Sequence, residues 1–113
     1  MKELEASRLV APKHLKPETQ RWWVTVHQQY KLESHHSRLL TLAGEAWDRG
    51  QQARVILEKG GLTYVDRFGQ PAARPEVSVE RDSRISFARL VRELALDQEP
   101  PGERLNRELF AQS

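Results

Sequence analysis

The sequence predicts a mainly α fold, three helices with a small β-hairpin between the second and third. Three observations carry this. Apolar residues recur at helical spacing along two long charged stretches. The segment GLTYVDRFGQPAARPE, Gly61 to Glu76, then interrupts them with glycines, two prolines and aromatics at its tip. With 38% hydrophobic and 30% charged residues, the composition is that of a globular chain with a charged, helical surface. At 113 residues it is one domain's worth, short enough that association with copies of itself adds to stability.

Each element follows in order. Residues 1–15 read as a polar N-terminal lead, with Pro12 opposing a helix through it. Pro17 suits a first helical turn and Glu18 suits the positive end of the helix dipole, so a helix is predicted from about Pro17 to Tyr30. Its Trp22, Trp23, Val26 and Tyr30 share one face and read as core anchors. After a short connector, Ser34 is the expected N-cap of a second helix reaching about Lys59, closed by Gly60 and Gly61. Leu39, Ala43, Ala46, Trp47, Gly50, Ala53 and Leu57 form its stripe, whose small residues allow close approach of another helix. The hairpin is predicted at about 62–74, turning at Asp66 to Gly69. Pro75 opens a third helix over about Glu76 to Leu96, with Phe87, Leu90, Val91 and Leu94 on one stripe. The helical domain is therefore bounded at 16–96, and 97–113 is an acidic tail broken at its start by two prolines and a glycine.

Composition also excludes functions. Without cysteine the chain has no disulfides and no thiolate metal sites. No apolar run approaches the roughly 20 residues of a membrane span, and MKELEASRLV lacks the apolar centre of a secretory signal, so a soluble, unexported chain is expected. The net charge of +2 permits contact with nucleic acid without the strongly basic balance of a coating protein. Its distribution is more informative. Between Arg81 and Leu96, Arg81, Arg84, Arg89 and Arg92 outnumber Asp82 and Glu93, whereas the tail sets four acids against Arg104 and Arg107.

Three segments carry a resemblance: APKHLKPETQRWW; the central LLTLAGEAWDRGQQARVILEKGGLTYVDRFGQPAARPEVSVERDSRI; and the closing FARLVRELALD. Together they resemble the small terminase subunits of tailed bacteriophages, of the compact type without a long central coiled coil. In that family a helix ends in glycine, a Gly-containing hairpin follows, and a proline opens the last helix. Here Ala95 stands where that family has glycine, and Asp97 to Pro101 depart from its usual sequence. The resemblance implies a non-catalytic DNA-recognition subunit in the host cytoplasm. It would assemble into a homo-oligomeric ring, bind viral double-stranded DNA, initiate genome packaging and regulate the terminase large subunit, which holds the ATPase and nuclease. The competing reading is a small dimeric DNA-binding regulator whose first two helices form a helix-turn-helix reading with Ser34, His35 and Arg38; an ordinary helical hairpin is the plainer account of that pair. A third is a virion adaptor that does not touch DNA.

The residues agree with the absence of catalysis, since there is no GxxxxGK[ST] phosphate loop, and no cofactor is expected. Asp66, Glu76, Glu80 and Asp82 form a carboxylate cluster without a ligand motif, and His35 and His36, with His14 and His27, lack metal-ligand spacing. Adjacent histidines are expected to point to different helix faces. The DNA-binding candidates are Lys13, Lys16 and Arg21 in and after the lead, Arg38, and the row Arg81, Arg89 and Arg92, which would grip phosphates without reading bases. The subunit-interface candidates are Trp47, Tyr64, Phe68, Phe87, Leu90, Val91 and Leu94, with Glu80 and Arg84 as a polar rim. The tail is left for the large subunit.

Overall fold

A computed structural model describes residues 9–96. It has three helices, α1 (Pro17–Gln29), α2 (Ser34–Gly60) and α3 (Pro75–Glu93), and two strands, β1 (Thr63–Val65) and β2 (Pro71–Ala73), between α2 and α3. The strands pair antiparallel in the register Thr63 with Ala73, Tyr64 with Ala72 and Val65 with Pro71. The tail from residue 97 and the first eight residues of the lead lie outside the described residues.

Local chemistry accounts for the boundaries. Pro17 and Pro75 occupy first-turn positions, where a missing N–H costs nothing because it has no helical partner. The Lys16 side chain makes no cap at α1; the cap comes from α2, whose Asp48 carboxylate accepts the Lys16 N–H at 2.8 Å and the hydroxyl of buried Thr19. At α2 the N-cap is Glu33, one residue before the expected Ser34. Its carboxylate accepts the His36 N–H while its own N–H donates to His36 Nδ1 at 3.1 Å, a reciprocal cap that serine at the next position does not provide. Gly61 ends α2 at φ +80°, and its N–H donates to the Leu57 carbonyl.

The α3 end is a Schellman turn made without glycine. Leu96 N–H donates to the Val91 carbonyl at 3.1 Å and Ala95 N–H to that of Arg92 at 3.0 Å, which holds Ala95 at φ +57°. A Cβ in this left-handed region costs about 1–2 kcal/mol. Ala95→Gly should therefore stabilise the protein by roughly 0.5–1 kcal/mol, after the extra freedom glycine gains in the unfolded chain, and a thermal melt should rise by a few degrees.

The core sits where α1, the first half of α2 and the end of α3 meet. Ala11, Leu15, Trp23, Val26, Leu40 and Leu94 form it, and Leu40 is wholly inaccessible. Two of these are corrections to the reading of 1–15 as a lead apart from the domain: Ala11 and Leu15 are packed into the core, because the chain bends back after Pro12 (Leu15 N–H to Pro12 carbonyl, 3.2 Å) and lays them against α2. Gly44 makes room for Leu15 and for Thr19, since a Cβ there would meet Thr19 Cγ2 at 3.0 Å and Leu15 at 3.2 Å. Further along, α2 packs on α3 through Ala43, Ala46, Gly50 and Ala53, with Ser83 buried opposite Gly50.

Candidate nucleic-acid and subunit interfaces

Along α3, steps of 100° per residue bring Arg81, Arg89 and Arg92 to one side, and all three are exposed, while Ser83, Leu90 and Leu94 face α2 and the core. Arg81 Nε lies 3.4 Å from the Asp82 carboxylate, an exposed contact between sequence neighbours that contributes little. Among the described residues, Arg89 and Arg92 have no carboxylate within 4.0 Å. The row extends over about 16 Å of helix and contains two apolar members, exposed Ile85 and Ala88. The other cationic candidates are exposed but dispersed: Lys13 and Lys16 precede α1, Arg21 is in its second turn, and Arg38 is near the start of α2.

The interface candidates divide into two places. Trp47 and Phe87 come together with Trp22 around a cleft of about 230 Å³, whose wall also includes Glu18 and Thr19. Phe87 is the shared neighbour, its ring 5.1 Å from Trp47 and 5.8 Å from Trp22, with both pairs tilted by about half a right angle. Trp47 remains 46% exposed. The hairpin forms the second place. Phe68 is 73% exposed, Tyr64 and Val65 are exposed beside it, and Arg67 places its guanidinium 4.9 Å from the Phe68 ring centroid. The Asp66 carboxylate accepts the N–H groups of Phe68 and Gln70, each at 2.9 Å, and Gly69 takes φ +76°, so the tip is a specified turn.

Several expectations change here. Leu94 is buried in the core and is not an open interface residue; it caps α3 as the chain turns toward α1, where the Tyr30 hydroxyl reaches the Leu96 carbonyl at 3.5 Å. Leu90 and Val91 are half-buried. Arg84 Nη2 stands 3.9 Å from Glu80, so the expected rim pair touches itself only loosely. Trp22, read as core alongside Trp23, is half-buried against the core and also lines the cleft. Adjacent helical residues diverge by 100°, so one tryptophan turned inward sends the other toward α3, and that divergence was the available signal.

The histidines serve local structure. The His35 and His36 rings lie 4.1 Å apart, not on different faces, because His36 folds back to cap Glu33. His14 pairs with Glu45 at 2.7 Å. His27 Nδ1 donates to the Trp23 carbonyl at 2.9 Å and Nε2 meets the Ser37 hydroxyl at 2.6 Å. Among the described residues no group of three or more His, Asp or Glu side chains is arranged to hold a metal ion, and Asp66, Glu80 and Asp82 are each engaged in the turn or with arginine. No helix among them is long and apolar enough to cross a membrane. Comparison with protein-family models, with curated proteins and with solved structures gives no match to this chain.

Proposed function

We propose that this protein is the small subunit of a phage terminase, a non-catalytic ring-forming subunit in the host cytoplasm that grips viral double-stranded DNA through α3 and regulates the large subunit. The observation that carries the DNA-binding part is the row of Arg81, Arg89 and Arg92, aligned on the solvent side of one helix with two members unpaired among the described residues. Guanidiniums in such a row bind phosphate oxygens and supply affinity with little sequence preference, which suits a subunit that holds DNA in a ring. The identity itself rests on the resemblance of the sequence, to which the helix–hairpin–helix order of α2, β1, β2 and α3 adds support.

The test is the salt dependence of binding to a double-stranded DNA fragment, followed by fluorescence anisotropy. Each phosphate neutralised releases counterions, so changing all three arginines to Gln should lower affinity and flatten the slope of log affinity against log salt by about one unit per lost contact. Deleting residues 97–113 should leave DNA binding unchanged. A triple variant that binds as the wild type does moves the site off α3. Native mass measured alongside separates this reading from the dimeric regulator, for which a mass of two chains is expected.

A further inference from the structure

We propose that the hairpin tip of one copy of this chain docks in the aromatic cleft of the next, with Phe68 entering between Trp22, Trp47 and Phe87, and Arg67 meeting Glu18 at the rim. This deepens the ring reading and rests on it. Two separate surfaces of the molecule are incomplete, and each has what the other lacks. The cleft is walled by three aromatic rings and holds about 230 Å³. An apolar cavity of about 150 Å³ already accommodates a benzene ring, so a phenyl side chain fits. At its edge Glu18 is exposed, with no cation within 4.0 Å among the described residues. The tip offers the complement, a phenyl ring 73% exposed with a guanidinium stacked beside it. Because the Asp66 bonds and Gly69 fix the backbone of the turn, Phe68 is presented from an ordered tip and little backbone freedom is lost on docking.

The occupant has to come from another molecule. Between Trp47 and the hairpin lies the second half of α2, about 20 Å of continuous helix packed along α3, so no chain can fold its own tip into its own cleft. A tip-to-cleft contact uses different surfaces on the two partners, and such head-to-tail contacts close into rings when the rotation between copies permits. The charge placement agrees, since Arg67 at the rim of its partner's cleft would lie beside Glu18, a carboxylate with no cation partner among the described residues.

The experiment exploits that asymmetry. Phe68→Ser spoils the tip and Trp47→Ser spoils the cleft; both residues are substantially exposed, so circular dichroism should report an unchanged helix content. Each variant alone should require at least about tenfold more protein to assemble, measured by native mass spectrometry across a concentration series. Mixed one to one, they should form a heterodimer, because the intact tip of the second fits the intact cleft of the first. As a second measurement, Arg67→Glu and Glu18→Arg should each weaken assembly and together restore it. Variants that assemble as the wild type does overturn the contact while leaving the ring reading intact. A mixture that yields no heterodimer also overturns it. Wild-type protein that stays monomeric at every concentration overturns the ring reading and this contact together. Tryptophan emission from that monomer already shifted to the blue, and reverting when residues 97–113 are deleted, would assign the cleft to the chain's own tail.

Discussion

Leu40→Ala is expected to remove about 3–5 kcal/mol of stability and to lower the melting temperature by more than about 10 °C, in thermal unfolding followed by circular dichroism at fixed protein concentration. Leu40 has no accessible surface and sits among Ala11, Leu15, Trp23, Val26 and Leu94. Truncation loses the transfer free energy of the removed carbons and leaves a cavity that only a collapse of its neighbours could fill. That collapse is opposed from every side. Trp23 is held by hydrogen bonds, and Leu15 is wedged at Gly44, so the upper half of the usual range for a buried leucine applies. A loss below about 1 kcal/mol would mean that this site relaxes freely and that the core is looser than its burial implies.

Trp23→Ala should cost a similar amount, about 3–5 kcal/mol, for a second reason as well as burial. Trp23 belongs to a closed circuit of hydrogen bonds between α1 and α2. Its indole N–H donates to the Thr41 hydroxyl at 3.2 Å, which donates to the Ser37 carbonyl at 3.0 Å; the Ser37 hydroxyl meets His27 Nε2, and His27 Nδ1 donates to the Trp23 carbonyl. The His27 ring also lies 3.9 Å from the indole. Trp23→Phe separates the contributions. It keeps most of the buried ring but deletes the N–H, so chemical denaturation should show a loss of roughly 1–2 kcal/mol, the worth of one bond plus some packing. If Trp23→Phe proved as damaging as Trp23→Ala, the indole hydrogen bond, rather than burial of the ring, would account for most of the loss.

The hairpin and its flanking helices were legible in the sequence because their signals are local. Gly61, the Asp66 to Gly69 turn and Pro75 each act within a few residues, and the strands fall inside the predicted span 62–74. Leu40 was not legible as the centre of the core. The stripe read from Leu39 to Leu57 describes the side of α2 facing α3, but α2 has a second partner in α1, and the residues facing it, Leu40 and Gly44, lie about 100° around the helix. Leu15 was missed because Leu4, Leu9 and Leu15, five and six residues apart in a polar, proline-containing segment, follow no helical or strand period that would reveal it. Of the candidate interfaces, the arginine row followed from spacing alone, whereas the cleft joins Glu18, Trp47 and Phe87 from three helices, and no pattern within one segment announces a meeting of three.

The contact between Arg74 and Gly60 closes a ring of chain around the hairpin. A free two-stranded ribbon this short, with three residues in each strand, is marginal in water because few bonds must offset the entropy of bringing its ends together. Here the ends are joined already. The guanidinium donates from Nε and Nη2 to the Gly60 carbonyl, at 3.2 and 3.0 Å, and lies so close over the glycine that a Cβ would come within 2.9 Å of it. Residues 60 and 74 are thereby cinched between the end of α2 and the start of α3. The strands form inside a loop whose closure is borne by the helices, and the absence of a side chain at residue 60 is what allows the cinch to tighten.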